Sequence, residues 1–149
     1  MTDFRGQQNL PRGLRNNNPL NLNQTSIKWL EKVPHSQNTD SRFEQFKSVE
    51  YGIRAGMLDL INDMVLKGKD TVTELINEYA PPHENNTSNY VRIVSDALGI
   101  TPFQKIPMTK AKLETLVQTL IKQENGRTLP TSILDERSEE RRVGKECRS

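Results

Sequence analysis

A single cysteine, Cys147, excludes an internal disulfide and any multi-thiol metal site. Histidine is almost as scarce. His35 and His83 have no partners at metal-ligand spacing on a helix, which argues against a zinc hydrolase, and no metal or other cofactor is expected. Aromatic residues make up only 5% of the chain and hydrophobic residues 33%, so the core should be modest and the surface strongly polar. No apolar run approaches the length of a membrane span. Arg5, Gly6, Gln7 and Gln8 interrupt the charged-then-apolar layout of a signal peptide, so none is expected. Neither sign of charge dominates: 21 basic and 19 acidic residues leave a net charge of +2, and nucleic acid is not an expected partner. The P-loop, the G-x-G-x-x-G fingerprint and the G-x-S-x-G elbow are all missing, which removes the common nucleotide and serine-esterase readings.

What the chain does have is asparagine. Arg12-Gly-Leu-Arg-Asn-Asn-Asn-Pro-Leu-Asn-Leu-Asn23 sets Asn16, Asn17, Asn18, Asn21 and Asn23 beside two arginines and a proline. An Asn amide offers two donors and an acceptor, which suits the hydroxyl and acetamido groups of a sugar. It also bonds its own backbone and tolerates left-handed conformations, so turn-making is the commoner use. A second polar cluster, Ala80-Pro-Pro-His-Glu-Asn-Asn-Thr-Ser-Asn-Tyr90, follows much later.

Between and after these clusters the pattern is mostly helical. Ser48 is a candidate cap for a helix over about 49–67, with Ile53, Met57, Leu60, Ile61 and Met64 as its apolar stripe and Gly68 as its stop. Gly52 and Gly56 share one face and would admit a close neighbour. Thr71-Val-Thr-Glu74 reads as a capping box for a second helix to about Tyr79, ended by Pro81-Pro82. Thr87 or Ser88 starts a third, which turns Tyr90, Val91, Ile93, Val94, Ala97 and Leu98 inward before Gly99. Thr109 starts a fourth, with Leu113, Leu116, Val117, Leu120 and Ile121 as its stripe and Gly126 as its stop. Residues 1–15 look irregular, and the Ile27/Trp29 alternation with Phe43-Glu-Gln-Phe46 suggests short strands or a hairpin.

The order and spacing of five blocks resemble a family of phage and prophage proteins described as virion-associated or lysozyme-like peptidoglycan-degrading proteins. The blocks are R-G-L-R-N-N-N-P-L-N-L, Trp29, Asp40-Ser-Arg-Phe-Glu-Gln-Phe46, Tyr51-Gly-Ile-Arg-Ala55 and A-P-P-x-E-N-N-T-x-x-Y, between about Pro11 and Thr101. More distantly the layout is similar to cell-wall glucosaminidases of the lysozyme superfamily, with Asn17-Asn18 and Tyr79-Ala80…Tyr90 in the corresponding places. Those enzymes carry a catalytic Glu on a helix just before the Asn pair; here only Met1–Arg15 stands there, with Asp3 its sole carboxylate. The resemblance implies a mainly α (α+β) fold, a lysozyme-like helical domain with a small β lobe. A single domain is expected over 1–137. The tail 138–149 holds one aliphatic residue and resembles translated vector or adapter sequence, so it is expected to be disordered.

The function so implied is binding of peptidoglycan glycan strands and cleavage of a glycosidic bond. The protein would be made in the bacterial cytoplasm and act at the cell wall or travel in a phage particle. The alternative is a catalytically inactive lysozyme-like virion component, or an inhibitor binding a host protein. Glycoside cleavage needs a protonated carboxylic acid beside the leaving oxygen and commonly a second carboxylate. Glu84, in the block of closest resemblance and in a loop stiffened by two prolines, is the first candidate acid, and Asp40 the candidate second carboxylate. Each has a blander reading: Glu84 as a helix N-terminal charge, Asp40 as a turn residue. Candidate substrate contacts are Asn17, Asn18, Asn21, Trp29, Tyr90 and Arg15. Trp29 offers its ring to a sugar face and Tyr90 its hydroxyl to the cleft while its ring anchors the third helix, although core packing is the commoner role of such residues. Arg15, with Arg12, offers a guanidinium to the carboxylate of muramic acid. One cleft is expected to bring the two Asn clusters and Glu84 together.

Overall fold

The computed structural model describes residues 1–134, so the tail expected over 138–149 lies outside the described residues. Its helices are α1 Arg12–Arg15, α2 Val49–Val65, α3 Val72–Tyr79, α4 Thr87–Leu98 and α5 Lys110–Asn125. Residues 131–134 add one helical turn. The described residues divide into two compact units: Met1–Met57 with 121–134, and Leu58–Leu120. The division falls inside α2 and inside α5.

In the second unit the capping chemistry forms as its sequence dictates. The Thr71 hydroxyl oxygen accepts from Glu74 N at 3.2 Å and donates to the Glu74 carboxylate at 3.0 Å, closing the first turn of α3. α4 starts at Thr87 as expected, and Asn86 caps it by accepting from Asn89 N at 3.3 Å, while the Thr87 hydroxyl donates to Ala80 O at 2.6 Å. Gly99 ends α4 in the left-handed region at φ 69°. Thr109 caps α5 by accepting from Lys112 N at 3.2 Å. α3 packs on α4, and the Tyr79 and Tyr90 rings meet edge to face with centroids 6.2 Å apart. Val72, Leu75, Ile76, Val94, Leu98 and Leu116 are fully buried there. Each such aliphatic contributes about 1.5–3 kcal/mol through removal from water. Ala97 faces solvent instead of the core.

In the first unit, Leu14, Leu20, Phe46, Val49, Ile53 and Ile121 form the centre of the core. Gly52 sits where an added methyl would collide with the Asn17 carbonyl, and Gly56 where it would strike the Leu20 side chain. α2 therefore meets the Asn-rich segment at backbone contact. The expected irregular 1–15 segment closes with a helical turn, α1. Ser48 does not cap α2 with its side chain; its hydroxyl is buried without a partner.

The small β lobe does not form. Among the described residues only isolated antiparallel bridges occur, Asn23 with Phe43 and Lys32 with Phe46 in this unit. Side-chain amides take the carbonyls that a ladder would need. Asn17 Nδ2 donates to Phe46 O, Asn18 Nδ2 to Leu22 O and Glu44 O, and Asn38 Nδ2 to Phe43 O. Ile27 and Leu30 are exposed, so the apolar alternation there has no inner face to occupy, and Glu31 turns the chain at φ 57°.

Candidate functional site

A polar cavity of about 790 Å³ opens in the first unit. Its wall includes Arg5, Arg12, Arg15, Asn16, Asp40 and Gln45, with Val33 the aliphatic contribution. Two loops and α1 build it. Asp40 anchors its loop by accepting from Arg42 N and Phe43 N, each at 2.8 Å, as an Asp at a turn does. Arg12 Nε and Nη2 grip the same carboxylate at 2.7 and 2.8 Å, and Asn16 Nδ2 adds a contact at 2.9 Å. Gln45 Nε2 then joins Asn16 Oδ1 to the Thr39 hydroxyl, both at 2.8 Å. The Arg12 guanidinium also lies 4.6 Å from the centre of the Phe43 ring.

Charge follows from these contacts. Arg12 hydrogen bonds hold the Asp40 carboxyl well below the usual carboxylate range, with its backbone and Asn16 bonds adding to the effect against some burial. Arg5 does the same for Asp3. Both carboxylates stay ionised at any physiological pH, so neither donates a proton. Arg5 and Arg12 are occupied by these partners. Arg15 is different: its Nε–H is buried and has no partner.

The Asn pair serves as the frame behind this wall. Asn17, fully buried at φ 53°, accepts from Phe4 N at 2.8 Å and donates to Asp3 Oδ1 and Phe46 O. Asn18, also fully buried, accepts from Leu22 N and donates to Leu22 O and Glu44 O. With both amide hydrogens donated and the oxygen accepting, these side chains hold backbone in place. Asn21 is half-buried at φ 53° and donates to Glu124 Oε1 at 3.0 Å. Trp29 is half-buried in the same unit but is not part of the cavity wall.

Glu84 and Tyr90 belong to the second unit. Glu84 is exposed on the turn before α4, its carboxylate 4.0 Å from His83 Nε2. Asn85 Nδ2 bonds back to Pro81 O and Asn86 caps α4, so the neighbouring amides shape the turn. Tyr90 is buried against Tyr79. Thus Arg15 and Asp40, of the expected site residues, share the cavity wall. Asn17 and Asn18 stand behind it, while Glu84 and Tyr90 lie in a separate unit.

Sequence reasoning missed the amide relay of Asn16, Gln45 and Thr39, and it missed Glu124. For Glu124 the available signal was a polar Glu-Asn pair closing an apolar helical stripe just before Gly126. Among the described residues, no three His, Cys, Asp or Glu side chains group as metal ligands would. None of the described helices is long and apolar enough to cross a membrane.

No protein-family model matches the chain. Its sequence is 36% identical over 118 residues to "Protein P5" of Pseudoalteromonas phage PM2, an alignment spanning 77% of this chain and 71% of that protein. At that identity and coverage, the chain belongs to the family of phage PM2 protein P5.

Proposed function

We propose that this phage-family protein binds peptidoglycan glycan strands in the cavity of its first unit and cleaves a glycosidic bond there. The observation that carries the reading is Arg15: a buried, unpartnered guanidinium N–H in the wall of a polar cavity. A buried donor without an acceptor costs about 1–3 kcal/mol, which a ligand oxygen would recover. Gln37 and the Thr39 hydroxyl, exposed in the wall, match the hydroxyl and acetamido groups of an amino sugar, and the Asn16–Gln45 relay holds Thr39 in place. The lactyl carboxylate of muramic acid supplies the anion for Arg15. The cavity lies within the roughly 300–1,000 Å³ usual for small-ligand sites.

The test is digestion of purified peptidoglycan, with new sugar ends identified by mass spectrometry. New muramic acid or glucosamine ends support the reading and name the bond cut. Retention on the wall without new ends replaces it with a binding component of the virion. Neither retention nor cleavage on several wall chemistries overturns it.

A further inference from the structure

We infer that the cavity takes denuded glycan strands, those whose muramic acid has lost its stem peptide and carries a free lactyl carboxylate. The inference deepens the glycan-binding reading above and rests on it. Five of the residues lining the cavity are charged: Asp3, Arg5, Arg12, Arg15 and Asp40. Four of them cancel in pairs. Arg5 Nε donates to Asp3 Oδ1 and Arg5 Nη2 to Asp3 Oδ2, each at 3.0 Å. Arg12 grips Asp40 in the same parallel manner, at 2.7 and 2.8 Å. These guanidinium groups hold both carboxyls well below the usual carboxylate range, so the two pairs persist as neutral units across physiological pH. Arg15 is left over. Among the described residues its guanidinium has no hydrogen-bond or ion-pair partner, which leaves the wall with one uncompensated positive charge.

That charge is held in place by the turn that carries it. Arg15 closes α1 three residues after Arg12, so the two side chains leave the same face. Leu14 between them is buried, and a side chain at Gly13 would collide with the Asn125 amide oxygen, so the turn has no freedom to roll. Arg15 N donates to Pro11 O and Asn17 N to Leu14 O, both at 2.9 Å. Arg15 itself is half-buried, with its Nε enclosed, so packing fixes the base of the guanidinium before any ligand arrives. A preorganised cation of this kind binds an anion without the cost of ordering a free side chain.

The chemistry of the wall decides which anion fits. N-acetylglucosamine carries no charge. In intact peptidoglycan the lactyl carbonyl of muramic acid is an amide to the first residue of the stem peptide, and it carries none either. Hydrolysis of that amide consumes one water and yields the lactyl carboxylate and the amine of the released peptide. Only then does the strand present the planar anion that a guanidinium fork matches. The intact amide offers one carbonyl oxygen and leaves the charge of Arg15 uncompensated. An amide-hydrolysing step must therefore act on the wall before this protein does.

The test is isothermal titration of the full chain with three disaccharides of N-acetylglucosamine and N-acetylmuramic acid. One has the free lactyl acid, one its methylamide, and one its L-alanyl amide, whose carboxylate stands one residue further out. The free acid should bind about 10-fold or more tightly than the methylamide, with the alanyl form close to the methylamide. Arg15→Gln should bring the free acid down to the affinity of the methylamide and leave the methylamide within about 2-fold. Equal binding of free acid and methylamide by the wild type overturns the inference. So does an alanyl form that matches the free acid, because a stem peptide is then accepted. A preference for the free acid that survives Arg15→Gln overturns it as well. Should that variant misfold, the wild-type comparison of the three ligands decides alone. If neither the disaccharides nor amidase-treated wall strands bind, the glycan reading itself fails and the inference with it. Binding of all three without preference defeats only the inference.

Discussion

Arg12 holds Asp40 through two parallel hydrogen bonds, 2.7 and 2.8 Å long, while the same guanidinium stacks 4.6 Å from the Phe43 ring. One side chain therefore neutralises the loop carboxylate and covers the aromatic three residues after it. This bridge joins α1 to the loop that completes the cavity.

Acid should loosen that bridge in a defined window. Asp40 has a folded-state pKa below its unfolded value near about 3.9, so its contribution is present above that value and is lost as pH falls through the folded one. Wild-type melting temperature should decline from pH 4 towards pH 2. Arg12→Ala removes the main cause of the depression, so it should be less stable by about 1 kcal/mol at pH 7, and the gap should close in acid. A gap that stays constant across the titration would show that the ion pair contributes nothing to stability.

The opposite sign applies to Asp59 and Asp63 in α2. Burial raises both carboxyls, and the mutual repulsion of Asp59 with Asp63 adds to the rise at Asp59, while Lys67 lies 3.3 Å from Asp63. Stability from groups shifted in this direction is full below the unfolded value and is lost as pH rises through the folded value. Asp59→Asn should raise the melting temperature at pH 7 by roughly 1–2 °C, the shift expected for about 0.5 kcal/mol in a chain of this size, and have no effect near pH 3. A thermal melt series across that range settles the sign.

Gly52→Ala would ordinarily favour a helix by reducing the entropy of the unfolded chain. Here the new methyl meets the Asn17 carbonyl, which Asn17's own three side-chain bonds keep from retreating. The substitution should destabilise by about 2–4 kcal/mol, readable as a lower urea midpoint. A neutral or stabilising result would mean that the segment moves aside.

Arg15→Gln should weaken retention of muramic-acid-containing strands by about 10-fold while leaving chitin oligomers, which have no carboxylate, within about 2-fold. Isothermal titration with both ligands reads the difference directly. Equal losses would assign Arg15 to shape and not to charge recognition.

Helices were determined locally, because their signals are local. Thr71 with Glu74, Gly99 and Gly126 mark element ends within one or two turns, and the apolar stripes of α3 and α5 follow a fixed period. The Asn-rich segment was legible as polar and turn-prone, but not the direction of its amides. Asn17 and Asn18 turn inward because Phe46 and Glu44, more than twenty positions away, present carbonyls that need donors. Those same bonds remove the strand ladder that the Phe43–Phe46 pattern suggests. Asp40 is a turn residue in sequence and an ionised cavity wall only after α1 brings Arg12 to it. Glu124 read as the polar end of a helix. Only folding sets it against Asn21, because hydrogen-bond partners 103 positions apart leave no trace in local pattern.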